Sequence, residues 1–387
     1  MRSVFIPNRG EIAVRIVGAC RTVDLECVVG ASAADMDGMA AQRADRVVCL
    51  GPGPPAESYM RPDVVVQAAT DSGCDAIHPG YGFLSESARL ARLARENDLV
   101  FVGPPTEALE LVADPPAVRA EAVRAGLRAV RDDRSAGDPS GEPARVRHVQ
   151  VQIAADDRGH VLHLGERDCS VQRRRQALVG EAPAPALCPT TRAHVCDGAV
   201  ALAERIGYRN LGTVEFVIDA DSGEAYFLDV TCSIQPEHPM TEAVTGLDLV
   251  AMQLQLAAGK RLAVAQQAIS FTGHAVECRL TAEDPAHNYI LTPGVLSLFA
   301  VPERLGLRVD THCQPGANVP PYYDALLAKL IAHSDGRDHA SDILLDALED
   351  LDVEGVETNR TLLISVLGHP DFRAGQPTTD WLDRAIP

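Results

Sequence analysis

The stretch Ser3-Val4-Phe5-Ile6-Pro7-Asn8-Arg9-Gly10-Glu11-Ile12-Ala13-Val14-Arg15-Ile16-Val17-Gly18-Ala19-Cys20, continued by Glu26-Cys27-Val28-Val29-Gly30, decides the fold. Residues 3–7 read as a buried strand, residues 10–22 as a helix with Ile12, Ile16 and Ala19 on one face, and residues 26–30 as a second strand. The pattern repeats outward. Residues 46–49 form a strand, 62–70 a helix, 76–78 a strand, and 99–102 a strand closed by Gly103-Pro104-Pro105. This alternation predicts a doubly wound parallel sheet. The polar, glycine-bearing joins at 8–10 and 78–85 then fall at strand C-terminal ends, where such sheets place ligands.

Beyond residue 105 a helical stretch runs to about 128, and residues 131–145 are polar, rich in Pro and Gly, and without apolar period. They read as a linker. Alternation returns at Val149, Val151 and Ile153, helical patterns follow at 191–206 and 248–258, and strands 212–218 and 224–230 flank the turn 219–223 as an antiparallel hairpin. From residue 271 strands mix with a helix near 338–348.

The 387 residues exceed one ordinary core and predict two or three domains. A net charge of −19 repels phosphate backbones and anionic lipid, which argues against nucleic-acid and membrane partners. Of the 35 Lys and Arg residues only Lys260 and Lys329 are lysine. The ten cysteines form no CxxC pair and no zinc spacing. With no apolar leader-like segment at Met1–Ile6 and no long apolar run, the expectation is a reduced, cytoplasmic protein.

Seven strings carry a resemblance: Asn8-Arg9-Gly10-Glu11-Ile12-Ala13; His78-Pro79-Gly80-Tyr81-Gly82-Phe83-Leu84-Ser85-Glu86; Gly165-Glu166-Arg167-Asp168-Cys169-Ser170 with Gln172-Arg173-Arg174; Glu181-Ala182-Pro183-Ala184-Pro185; Gln235 with Glu237-His238-Pro239; Gly273-His274-Ala275-Val276-Glu277-Cys278-Arg279; and Val319-Pro320-Pro321-Tyr322-Tyr323-Asp324. In this order, from end to end, the chain resembles biotin carboxylases, the ATP-grasp subunits or domains of acyl-CoA and pyruvate carboxylases. The resemblance implies a Rossmann-like N-terminal domain over 1–112, an ATP-grasp domain over 113–268 whose lid is replaced by the linker 131–146, and a β-rich C-terminal domain over 269–387. It also implies ATP- and bicarbonate-dependent carboxylation of biotin on a separate carrier protein, with a carboxyltransferase subunit as further partner and a homo- or hetero-dimer as assembly.

By the same resemblance Glu215 and Asp229 hold magnesium, Glu237 is the base that takes the bicarbonate proton, and Arg308 stabilises the biotin enolate. Gln172, Arg174 and Arg175 belong to the nucleotide side. Arg279 reads as a structural brace and the 78–86 run as an architectural turn.

The departures are as informative. Asp229 stands where the family has Glu, Thr231 where it has Asn, Ser233 where it has the bicarbonate-binding Arg, Arg175 where it has His, and Ala177 and Pro115 where it has Lys. A hydroxyl lacks the charge and planar fork of an arginine, and neither Ala nor Pro donates from its side chain. The family's lid, with its phosphate-covering glycine loop and lysine, has no counterpart between Gly126 and Arg147. Gly18 and Thr22 replace interface charges carried by some members. The expectation is a biotin carboxylase homologue with impaired or lost catalysis, a pseudoenzyme with a scaffold or regulatory role. The alternatives are an active subunit completed by a partner and an ATP-grasp ligase with an altered substrate.

Overall fold

The computed structural model describes residues 1–130 and 145–386. Five parallel strands open the chain: β1 (Ser3–Ile6), β2 (Glu26–Ser32), β3 (Arg46–Gly51), β4 (Ala76–Ile77) and β5 (Val100–Phe101), in the order β3-β2-β1-β4-β5. The doubly wound expectation is met. The order reverses between β1 and β4, so the turns that follow these two strands lie at the switch point.

Alternation along β1 explains the two-sided burial. Val4 and Ile6 join the core formed with helix Gly10–Thr22 through Ile12, Ile16 and Cys20. Phe5 points the other way, into a core with Val65, Val66 and Leu90 of helices Pro62–Asp71 and Ala88–Glu96. The first two family strings are held together here. The Asn8 side-chain amide donates to the carbonyls of Pro79 (2.6 Å) and Tyr81 (2.9 Å). Gly80 adopts φ +67°, and a Cβ on it would lie 2.9 Å from Asn8 Nδ2, so glycine satisfies both the turn and the close approach.

The rest of the body is one eight-stranded antiparallel sheet. Its strands are β6 (Val146–Ala155), β7 (Val161–Arg173), β8 (Gln176–Ala182), β9 (Asn210–Asp219), β10 (Ala225–Thr231), β11 (His274–Thr281), β12 (Leu307–Thr311) and β13 (Leu326–Ser334). They run in the order β10-β9-β6-β7-β8-β11-β13-β12. The predicted hairpin is β9–β10. The sheet passes without a break from β8 to β11, pairing Glu181 with Val276 and Ala182 with Ala275. It therefore crosses residue 269, where the sequence suggested a new domain. Short two-stranded ribbons and helices Arg337–Glu349 and Arg360–Gly368 complete the C-terminal part. Of the expected linker 131–146, residues 131–144 lie outside the described residues, and Val146 already belongs to β6.

Candidate active site

A cavity of about 390 Å3 opens where the two sheets meet. The turn after β4 supplies Tyr81, Gly82, Phe83, Ser85 and Glu86 as one wall. Strands β6, β9 and β10 supply His148, Gln150, Glu215 and Thr231, and the loop after β10 adds Ser233, Gln235, Pro236 and Glu237. The start of β8 brings Ala177, and β11 brings Arg279.

The turn between β7 and β8 consists of Arg174 and Arg175, at φ 50° and 65°. Two consecutive positive φ values make the tight connection whose twist matches the paired strands. Arg174 is exposed and bonds Asn288 Oδ1 (3.3 Å) outside the cavity. Arg175 lines the cavity, and its guanidinium makes no ion pair or hydrogen bond with any described residue.

Glu215 is fully engaged. His148 Nε2 lies 2.7 Å from Glu215 Oε2, while Glu215 Oε1 accepts from Thr231 Oγ1 and from Gln235 Nε2 (2.8 Å). Burial pushes the Glu215 carboxyl up, but these bonds and the His148 charge outweigh it and hold the group below its usual range. Burial lowers the imidazole of His148, and the bond and charge of Glu215 outweigh that and raise it. Gln235 is bonded from below by the fully buried Arg167, whose guanidinium donates to Gln235 Oε1 (3.1 Å), Gln152 Oε1 (2.8 Å) and Thr241 Oγ1 (3.0 Å). A buried cation with neutral acceptors thus stiffens the floor under Glu215.

Asp229 sits directly opposite Glu215 in the β9–β10 register, and its Oδ1 accepts from the Val230 amide (2.9 Å). It is not on the cavity wall. Among the described residues no group of three or more His, Cys, Asp or Glu side chains is arranged to hold a metal ion. Glu215 spends three of its roughly four acceptor sites on protein donors, and Asp229 is off the wall, so the donor set as it stands offers magnesium no pair of free carboxylates.

Glu237 is buried and forms an ion pair with Arg279. Arg279, read from sequence as a structural brace, therefore faces the cavity and a carboxylate. Burial lowers its guanidinium, but Glu237 and then Glu277 outweigh this and raise it. The 78–86 run also does more than turn the chain. Glu86 accepts from the Cys232 amide (2.9 Å) and from Ser233 Oγ (3.2 Å). Its carboxyl is raised, chiefly by burial, with the charges of Glu215 and Asp229 adding.

Arg308 lies elsewhere. It grips Asp310 with two bonds of 2.7 Å and Glu242 at 2.6 Å, in a second hollow of about 360 Å3 shared with Arg15, Asp248 and His333. Burial acts to lower its guanidinium, and the two carboxylates outweigh that and raise it. Its link to Glu237 is indirect. The fully buried Lys329 places Nζ 3.0 Å from the Pro236 carbonyl, 3.2 Å from Glu11 and 4.0 Å from Asp310. Gln172, paired with Ala177 across β7–β8, is half-buried and off the cavity wall.

The structure thus brings Glu215, Glu237 and Arg175 together and leaves Asp229, Gln172, Arg174 and Arg308 outside. His148, Gln150 and Glu86 were missed by sequence reasoning. The signal for the first two was available, since 148 and 150 are polar positions alternating with the apolar residues 149 and 151 of β6.

Three family models match in order: the biotin carboxylase N-terminal domain over residues 1–109, the ATP-binding domain of the carbamoyl-phosphate synthase L chain over 143–265, and the biotin carboxylase C-terminal domain over 277–384. Biotin carboxylase 1 of Bacillus subtilis is 36% identical, in an alignment covering 99% of this chain and 98% of the relative. That alignment runs over 442 positions, whereas this chain has 387 residues. The biotin carboxylase domain dimer of the Hydrogenobacter thermophilus 2-oxoglutarate carboxylase, solved with MgADP, ADP and bicarbonate, superposes with a TM-score of 0.93 at 33% identity, covering 99% of this chain and 97% of that one. The multifunctional pyruvate carboxylase of Rhizobium etli superposes with a TM-score of 0.94 at 35% identity; all of this chain matches 36% of that longer one. With both ends and the sheet between them matched at this identity, the chain belongs to the biotin carboxylase family.

Proposed function

We propose that this biotin carboxylase homologue has impaired or lost catalysis and acts as a scaffold or regulatory subunit of a carboxylase assembly. One observation carries the reading. Both oxygens of Glu215, the residue the family would turn toward magnesium, are committed to His148, Thr231 and Gln235. Transfer of a phosphoryl group relies on metal ions and cations neutralising the phosphate oxygens.

The cations are thinned as well. Ala177 lines the cavity, Pro115 opens helix Pro115–Arg124, and Ser233 is turned to Glu86. The surplus of aligned positions in the Bacillus subtilis relative supports loss of a segment several dozen residues long, which we assign to the lid between Gly126 and Arg147. In this reading the units are 1–112, 113–268 and 269–387. ATP and magnesium are ancestral ligands, and biotin arrives on a separate carrier. A carboxyltransferase subunit and a like or unlike carboxylase subunit are the partners, in the cytoplasm.

A second reading is an active subunit completed by a partner. Arg175, which has no partner among the described residues, and the Glu237–Arg279 pair, both facing the cavity, favour it.

Calorimetric titration of the purified chain with Mg-ATP, with and without bicarbonate, tests the proposal, followed by ATP hydrolysis with biotin and the neighbouring subunits. Hydrolysis at background with every subunit present is the expected result. Biotin-dependent turnover would overturn it in favour of the second reading.

A further inference from the structure

The more spacious of the described hollows is not the one with the carboxylates. A cavity of about 440 Å3 lies between the first half of β7, the first turns of helix Pro189–Arg205, the end of helix His238–Thr245 and the segment before β11. It shares no lining residue with the candidate active site. Neighbouring residues of a strand point to opposite faces. Arg167 turns toward Thr241 and the active site, and Glu166 turns toward Arg192 and this second cavity.

The lining is mostly apolar. Leu164, Pro183, Ala193, Cys196, Val244 and Phe271 make the walls. Phe271 is 42% exposed, and its ring packs against Gly165, where an added Cβ would come within 2.5 Å of it. Glycine at 165 lets an aromatic side chain act as a wall of the hollow. A volume of this size falls in the range of small-molecule sites, about 300–1,000 Å3.

Two features define the polar part. His163 has Nδ1 enclosed without a partner, and its Nε2 bonds to no described residue. Burial holds the ring below its usual pKa, so it is neutral. An enclosed N–H without an acceptor costs more than an enclosed lone pair, which puts the proton on Nε2 as an unused donor. The Arg192 charge is already met by Glu166 at 2.7 Å, and Asp197 adds a second carboxylate to the rim. The local balance is negative, which disfavours an anion and leaves a neutral acceptor as the matching group.

We infer that this cavity is a second ligand site, for a neutral aromatic or polycyclic molecule bearing a carbonyl acceptor. The ring body fills the apolar walls beside Phe271 and the carbonyl accepts from His163. The site is independent of the nucleotide reading, so either stands if the other fails.

Titration of the full chain with 1-naphthamide, followed by ligand-observed NMR and by thermal shift, tests this. Saturable binding is expected. It should weaken at least 10-fold in His163→Phe, in the cavity-filling Ala193→Trp and in Phe271→Ala, whose surface position spares the fold. Naphthalene, which lacks the acceptor, and 1-naphthoate, which carries a charge, should each bind at least 10-fold more weakly than the amide. Absence of 1-naphthamide binding to the folded wild type would overturn the inference. So would undiminished binding to folded Phe271→Ala and His163→Phe, or equal binding of the three probes.

Discussion

His148 and Glu215 meet at 2.7 Å on adjacent strands, and this contact turns a residue expected to hold a metal into half of a partly buried ion pair. The pair has a pH signature. His148 is raised above its usual 6.5, so its contribution is fully present below that value and is lost as pH rises through the folded pKa. Glu215 is lowered below its usual 4.5, so its contribution is present above 4.5 and is lost as pH falls through its folded pKa. The stability difference between wild type and His148→Ala should therefore peak between about pH 4.5 and 6.5. Melting temperatures of both proteins across pH 4–9 check this; a difference that keeps growing above neutrality would contradict it.

Glu277 gives the slope opposite to that of Glu215. It is fully enclosed beneath the site, Oε2 has no hydrogen-bond partner, and burial pushes the carboxyl up to about 8. Folding then favours the protonated acid, and stability from this group declines as pH rises from about 4.5 to about 8. Glu277→Gln should melt higher than wild type at pH 8.5 and show little gain at pH 5.

Lys329 is one of two lysines in a chain that otherwise uses arginine, and it is fully buried against Glu11, Asp310 and the Pro236 carbonyl. Removing one partner of a buried ionic group leaves uncompensated charge and costs about 3–5 kcal/mol. Lys329→Met should lose that much in urea denaturation. Lys329→Arg should also be destabilised, because the close-packed site has no room for the larger planar head.

Restoring a missing cation should restore ligand affinity. Ala177 already lines the cavity near Arg175, which has no partner among the described residues. Ala177→Lys should tighten Mg-ATP binding roughly 10- to 100-fold, the worth of one charge-assisted bond of about 1.5–3 kcal/mol. Arg175→Ala should weaken binding by a similar factor while leaving the melting temperature unchanged. Calorimetry on the two variants separates these effects.

The N-terminal sheet was legible because each strand is a short apolar run whose alternate residues feed two different cores, as Val4 and Phe5 do. The β9–β10 hairpin was legible because a polar turn lies between two alternating runs. Helix Ala88–Glu96 went unread, although Ser87 caps it through the Leu90 amide. The site was legible in kind and only partly in geometry. The resemblance implied catalytic roles for both Arg308 and Glu237, but the structure ties Arg308 to Glu242 and Asp310 around the far side of Lys329. No spacing rule reveals that Arg279 reaches Glu237, because the contact depends on β11 joining the sheet through β8, a strand nearly a hundred residues earlier.

That junction sets how the molecule may be divided. A truncation at residue 268, where the sequence suggests a seam, would strip β11 from β8 and leave the row of N–H and C=O groups from Val179 to Ala182 without mates. Such a raw edge recruits strands from other chains. The two halves of the body are thus obliged to be made, and to be kept, as one piece of cloth.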